Sequence, residues 1–221
     1  MGLPVSIDIH GCENQAVFEA AYTRLKEIDK RFSTYKPESE VSRYAAGKID
    51  KKNLSAELKA VIKACKGAEA KTQGYFSAWA AGAFDPSGYV KGWAVAEAGE
   101  VIEKQGFKTY CIGAGGDILA RSDGEKQWKI GIQDPRDKSK ILNTLSISNG
   151  AVCTSGSYER GAHIHNPKTG QPADELASVT VTGPDIIRAD VLATAVYAMG
   201  AEAGRRFMKS QPGYQALVIE R

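Results

Sequence analysis

The chain has 221 residues, of which 43% are hydrophobic and 25% charged, with a formal net charge of +3. This suits one large domain, or two closely packed lobes, of ordinary globular composition. The basic runs at 48–52 and 136–140 have few aromatics beside them, so they read as solvated loops and argue against a nucleic-acid surface. No apolar run approaches the ~18 residues of a membrane span, and no charged start with an apolar core marks a signal peptide. The expected location is the cytoplasm, or the periplasm if an export leader has been removed. Cys12, Cys65, Cys111 and Cys153 form no CxxC pair, and there are three histidines. Buried thiols are expected rather than a zinc site.

In chain order, residues 4–10 alternate apolar and polar as a half-buried strand does. From Glu13 to about Phe32 the apolar positions Val17, Ala20, Leu25 and Ile28 recur at helical spacing. Ser39-Glu40 starts a short helix to Tyr44, and Ser55 caps another that closes near Gly74. The aromatic, small-residue stretch 74–88 ends in the turn residues Asp85-Pro86-Ser87-Gly88, where Ser87 is expected to cap a helix running to Gly106. Short strands are expected at 108–113, 117–121, 128–133, 142–148, 151–154, 162–165 and 177–182. Helices over 185–199 and 201–210 and a strand at 214–220 complete the chain. Helices gather at both ends of a run of consecutive strands, which predicts an α+β fold with a largely antiparallel sheet flanked by helices.

Four segments have the chemistry of a site. The sequence "CIGAGGDI" (111–118) follows a strand but lacks the third glycine and the helix of a dinucleotide fingerprint. A tight bend between paired strands and a close backbone approach to a ligand are both open there. In "RADVLATA", Asp190 and Thr194 are four apart, so their oxygens share a helix face and suit a hard cation such as Mg²⁺; a hydrogen bond between them is the competing account. "DPSGYVK" places Lys91 in the first turn of its helix, near free amides that suit a phosphate. Finally, "TSGSYERGAHIHNPKTGQP" offers the hydroxyls and amides of Thr154, Ser155 and Gly156, the guanidinium of Arg160, and two of the chain's histidines. His163 and His165, two apart on the expected strand, point to opposite faces. A strand histidine is commonly structural, and a catalytic role for His163 is the rival account.

Together, "MGLPVSIDIHG", "IDKRFSTYKPESEVSRY", "FDPSGYVKGWA", "IGAGGDI", "TSGSYER…HIHNPKTGQP" and "ADVLATAVYAMG" resemble, in order and nearly end to end, the motifs of the ApbE family of FAD:protein FMN transferases. The resemblance implies a single domain over 1–221 with an FAD cleft between two packed lobes. It implies FAD as substrate, Mg²⁺ at its pyrophosphate, transfer of FMN to a Thr or Ser in a flavinylation motif of an acceptor protein, and release of AMP. By motif, Asp190 and Thr194 become side-chain metal ligands, Gly88 a carbonyl ligand, and Ala193 a backbone neighbour of the ion. Met1, Tyr35, Tyr75, Phe76, Asp85, Lys91 and His165 fall at positions lining the FAD pocket. His163 matches the family's catalytic histidine. Ser77 and Asn166 stand where Asp is common, His165 where an apolar residue is, and Ala45 where Asn is frequent; the 76–84 region is short. The rivals are a Mg²⁺-dependent FAD pyrophosphatase and a non-catalytic FAD-binding protein.

Overall fold

The computed structural model of the protein describes residues 2–156 and 164–221. Six strands form an antiparallel sheet in the order β1-β2-β3-β6-β7-β8: β1 (Val5–Ile9), β2 (Tyr110–Ala114), β3 (Asp117–Arg121), β6 (Gly150–Gly156), β7 (Leu176–Gly183) and β8 (Gln215–Glu220). The remaining two, β4 (Trp128–Asp134) and β5 (Asp137–Ile147), pair only with each other among the described residues. Two-residue alternation decides what each sheet face covers. Tyr110, Ile112 and Ala114 on β2, Leu119 on β3, and Ala151 and Cys153 on β6 face the main core. Their neighbours Ile118, Ala120 and Val152 turn to the opposite face, where Trp128 and Ile130 of the β4–β5 ribbon cover them. The ribbon is tied down at both ends: Trp128 Nε1 donates to the Arg121 carbonyl at 3.2 Å, and Arg136 Nη2 to the Glu220 carbonyl at 2.6 Å.

On the core face lie α4 (Ser87–Lys104) and α5 (Ile186–Met199). The helix α1 (Gln15–Phe32) packs on α4, with α2 (Glu40–Ala45) and α3 (Ala56–Lys71) alongside, and α6 (Ala201–Met208) supports α5 and β8. Capping follows composition: Asn14 Oδ1 accepts from Ala16 N–H, Ser39 Oγ from Ser42 N–H and Ser55 Oγ from Leu58 N–H. Among the described residues no helix is long and apolar enough to cross a membrane.

Several expectations change. The run at 136–140 is largely exposed, yet Asp137–Lys140 belong to β5: Asp137 pairs with Asp134, residues 138–140 bulge out of the β4 register, and Gln133 Nε2 donates to the Lys138 carbonyl at 2.7 Å. Lys51–Asn53 form a 3₁₀ turn within the other basic stretch. The expected strand at 162–165 is only partly described; Ile164 is irregular and His165 makes an isolated bridge to Pro172. Ser87 does not cap α4 but is its first residue, and Asp85 Oδ1 accepts its N–H at 2.9 Å and also its hydroxyl. Lys91 therefore sits in the second turn.

The approach of α4 to α5 depends on glycine. A Cβ at Gly92 would lie 2.9 Å from the Ile186 carbonyl oxygen and 3.1 Å from Asp190 Cβ, tighter than real contacts allow. Gly92→Ala is expected to push the two helices apart and to lower stability by about 2–3 kcal/mol, read from the urea midpoint. Gly124→Ala, where a Cβ meets nothing within 4 Å, is the control and stays within about 0.5 kcal/mol of the parent. Equal midpoints for the two variants would contradict the close packing.

Candidate active site

At the end of the sheet where β2 turns into β3, a cleft opens between the 75–88 segment and the strands. Its void is about 1060 Å³ with the solvent-open mouth included. Tyr75, Phe76, Asp85, Gly88, Lys91, Thr154, Ser155, Gly156, His165, Asp190 and Thr194 line it, so eleven of the sixteen residues singled out from the sequence meet in one place. Tyr35 is exposed and lines an adjoining hollow that shares Ser87 and Lys91 with the cleft. Ala193 is buried in the core instead of lining the cleft. Met1, Arg160 and His163 lie outside the described residues.

The centre of the cleft is electrostatic. Lys91 Nζ sits 2.9 Å from Asp117 Oδ2 and 3.7 Å from Asp190 Oδ1, with Asp117 and Asp190 at 0% and 1% exposure. Burial pushes both carboxyl groups above the usual carboxylate range, against the pull of the Lys91 ammonium. Burial also disfavours the ammonium, but the two carboxylates outweigh it and hold Lys91 charged. Cys153, beneath them, is held as a neutral thiol first by burial and then by the same carboxylates. With one ammonium between two carboxylates, charge balance in the interior calls for either a proton on one carboxyl or a further cation beside it.

The competing account of Asp190 and Thr194, a hydrogen bond between them on a partly exposed face, is not what the fold makes of them. Asp190 Oδ2 accepts the Gly92 N–H at 2.9 Å. In a regular helix that N–H points at the Gly88 carbonyl, so Asp190 competes for it and leaves the Gly88 oxygen less engaged. Thr194 Oγ1 lies 3.4 Å from Ser155 Oγ, and a Cβ at Gly88 would stand 3.1 Å from Thr194 Oγ1 and fill the space before it. Carboxylate, hydroxyls and a carbonyl make an oxygen-only donor set that fits Mg²⁺. Among the described residues no group of three or more His, Cys, Asp and Glu is placed to hold a metal, so a cation here takes hydroxyl and carbonyl oxygens as well.

Around this centre are amides and one unengaged imidazole. The β2–β3 connection is a two-residue turn through Gly115 and Gly116, with φ of 52° and 87°, pairing Ala114 with Asp117. Positive φ at both is why glycine stands there, and the same turn lines the cleft, so the bend and the close approach coexist. Thr154 Oγ1 is 2.9 Å from Thr180 Oγ1, which fixes its rotamer. His165 lines the cleft with a buried Nδ1 that has no hydrogen-bond partner among the described residues. Lys168 Nζ lies 5.6 Å from the Tyr75 ring centre and ties the 166–172 turn to the 75–88 segment.

The ApbE family model matches residues 1–84 and 80–218. The chain belongs to the ApbE family. Proteins named FAD:protein FMN transferase from Klebsiella pneumoniae and Vibrio cholerae are 32% and 33% identical to it over 133 residues. Those matches take in 55% and 54% of this chain but only 38% and 40% of the relatives, less than half their length. The flavin transferase ApbE from Vibrio cholerae superposes with a TM-score of 0.84 at 22% identity, covering 100% of this chain and 91% of the other. The ApbE protein from Thermotoga maritima gives 0.84 at 23% identity, covering 98% and 90%. The ApbE fold is therefore shared throughout, which accounts for the α+β sheet order and for helices packed on its core face.

Sequence reasoning marked the Gly115–Gly116 turn as a possible ligand approach but missed Asp117, Ser77 and Ser87 as parts of the site. The signal for Asp117 was available: a two-glycine turn puts the next residue first on its strand, where Asp has poor propensity and needs a reason.

The buried carboxyls set a pH dependence. A carboxyl whose folded pKa is raised binds its proton more tightly folded than unfolded, so stability is highest below the unfolded value, ~3.9, and falls as pH climbs through the folded one. In chelator, the melting temperature of the parent is expected to decline relative to Asp190→Asn between pH 4.5 and 8. A difference that stays constant with pH would show that Asp190 titrates as it does in the unfolded chain.

Proposed function

We propose that this chain is a Mg²⁺-dependent FAD:protein FMN transferase that attaches FMN through a phosphoester to a Thr or Ser of an acceptor protein and releases AMP. The observation that carries this reading is the meeting of the Asp190–Thr194 oxygen face with Lys91 and the turn amides in one cleft of an ApbE-family chain. The names of its relatives point the same way.

The reaction is an in-line displacement: the acceptor hydroxyl oxygen bonds to the phosphorus of the FMN half, the bond from that phosphorus to the bridging oxygen breaks, and AMP departs with that oxygen. Asp190 and Thr194, with the Gly88 carbonyl, would hold the cation. Bound there, Mg²⁺ supplies charge neutralisation for the pyrophosphate oxygens. Lys91, Ser155 and Gly156 offset charge on the departing phosphate, and Arg160 adds its guanidinium. His163 takes the proton of the acceptor hydroxyl, the general-base task for which imidazole is the usual side chain. Tyr75 and Phe76 supply apolar faces for the flavin nucleotide, and His165 a polar one.

A carrier that only stores FAD has little use for a cation face at the scissile bond, so the donor set favours chemistry. The test is mass spectrometry of a protein bearing a Thr/Ser flavinylation motif, mixed with FAD, Mg²⁺ and this chain. The parent should add one FMN unit per motif, and Asp190→Asn should slow the addition by ~100-fold or more. Stoichiometric AMP release from FAD without acceptor would instead identify a pyrophosphatase. FAD left intact in both mixtures would identify a carrier.

A further inference from the structure

Asp117 is a fully buried carboxylate with no part in the displacement itself. It opens β3 straight after the Gly115–Gly116 turn. Its Oδ1 accepts the Thr154 N–H at 3.2 Å, and its Oδ2 lies 2.9 Å from Lys91 Nζ. The same ammonium stands farther, 3.7 Å, from Asp190 Oδ1, while Asp190 Oδ2 is engaged by the Gly92 N–H. The oxygen that a cation would need most is thus the one Lys91 leans toward without reaching contact. In an interior of low effective dielectric, an ammonium in contact with that oxygen would compete directly with a divalent ion.

We propose that Asp117 is a positioning residue that anchors Lys91 away from Asp190 and thereby sets the cation affinity of the site. This rests on the reading of Asp190 and Thr194 as cation ligands. Without the Asp117 charge, Lys91 has Asp190 as its remaining carboxylate within reach and closes on it. A residue that merely braces the β3–β6 region through Thr154 would behave differently, because its loss could not be repaired by removing a lysine.

The experiment is calorimetric titration of the whole chain with Mg²⁺ alone, without nucleotide. Asp117→Asn should weaken binding by about tenfold, the scale on which groups supporting metal ligands act. Adding Lys91→Met to that variant removes the competitor and should return the affinity to the parent's level or better. The double variant also discards both halves of a buried ion pair, which proteins tolerate better than losing one. Unchanged affinity in Asp117→Asn, or a loss that Lys91→Met fails to relieve, overturns the inference. If Asp117→Asn does not fold, the double variant decides by itself, and an affinity more than about tenfold below the parent's is the overturning result. Asp190→Asn separates the two layers. Binding that persists there removes the cation site and this inference with it; binding lost there but unchanged in Asp117→Asn removes only the role of Asp117.

Discussion

A lysine ammonium buried between two carboxylates is the constraint on which the site depends. Lys91 belongs to α4, Asp117 to β3 and Asp190 to α5, so one charge cluster ties together three elements that are distant in sequence. Such a cluster is a poor way to gain stability, since desolvating three charges costs several kcal/mol per ion before any attraction is counted. Apolar residues of similar volume would hold the same elements together more economically. The cluster makes sense where a protein needs a defined negative charge at a defined place, screened from water. The surrounding core, from Ile9 on β1 to Tyr214 just before β8, provides the rigidity that keeps the three groups from relaxing.

That arrangement requires the helices to approach closely, and the sequence provides for it with absent side chains. Gly88 and Gly92 lie one turn apart on α4, facing Thr194 and Asp190, which are one turn apart on α5. The missing Cβ at Gly92 lets a backbone amide reach a carboxylate on another helix. The missing Cβ at Gly88 leaves Thr194 Oγ1 open to the cleft. Larger residues at either position would convert a site into ordinary helix packing. The polar face of α5 is thus made usable by its neighbour, not by α5 alone.

Much of this was legible in the sequence, because periodicity and turn chemistry are local. The α+β class, the antiparallel sheet and the helices came through, as did the placing of Asp190, Thr194 and the Thr154 and Ser155 hydroxyls together. What escaped was decided by tertiary contact. Asp137–Lys140 read as loop since nothing in Asp, Lys and Ser favours a strand; the flanking pairs Asp134–Asp137 and Gln133–Ile141 carry them along as a bulge. Ser87 read as a cap because Ser usually is one, but Asp85 two residues earlier takes over its N–H. The partnership of Asp117 with Lys91 spans a helix and a strand, and a pair like that has no signature in spacing. Asp190 and Thr194 were recognisable as neighbours on a helix, yet the oxygen that matters is defined by Gly92 and Lys91, which no α5 pattern contains.

A donor set of one carboxylate, one or two hydroxyls and a carbonyl has a further consequence. Mg²⁺ gives up water reluctantly and is commonly held through one or two carboxylates together with substrate phosphates. With so few protein oxygens, the chain by itself offers only part of a coordination shell. A pyrophosphate lying along the Gly115–Gly116 turn and beside Ser155 and Gly156 would bring oxygens to the same point, so ion and nucleotide would each raise the affinity of the other. Water would fill the remaining positions until a nucleotide replaces it. That coupling would let ion and nucleotide fill the site together, and with neither bound the raised proton affinity of the buried carboxyls keeps the interior charge balanced.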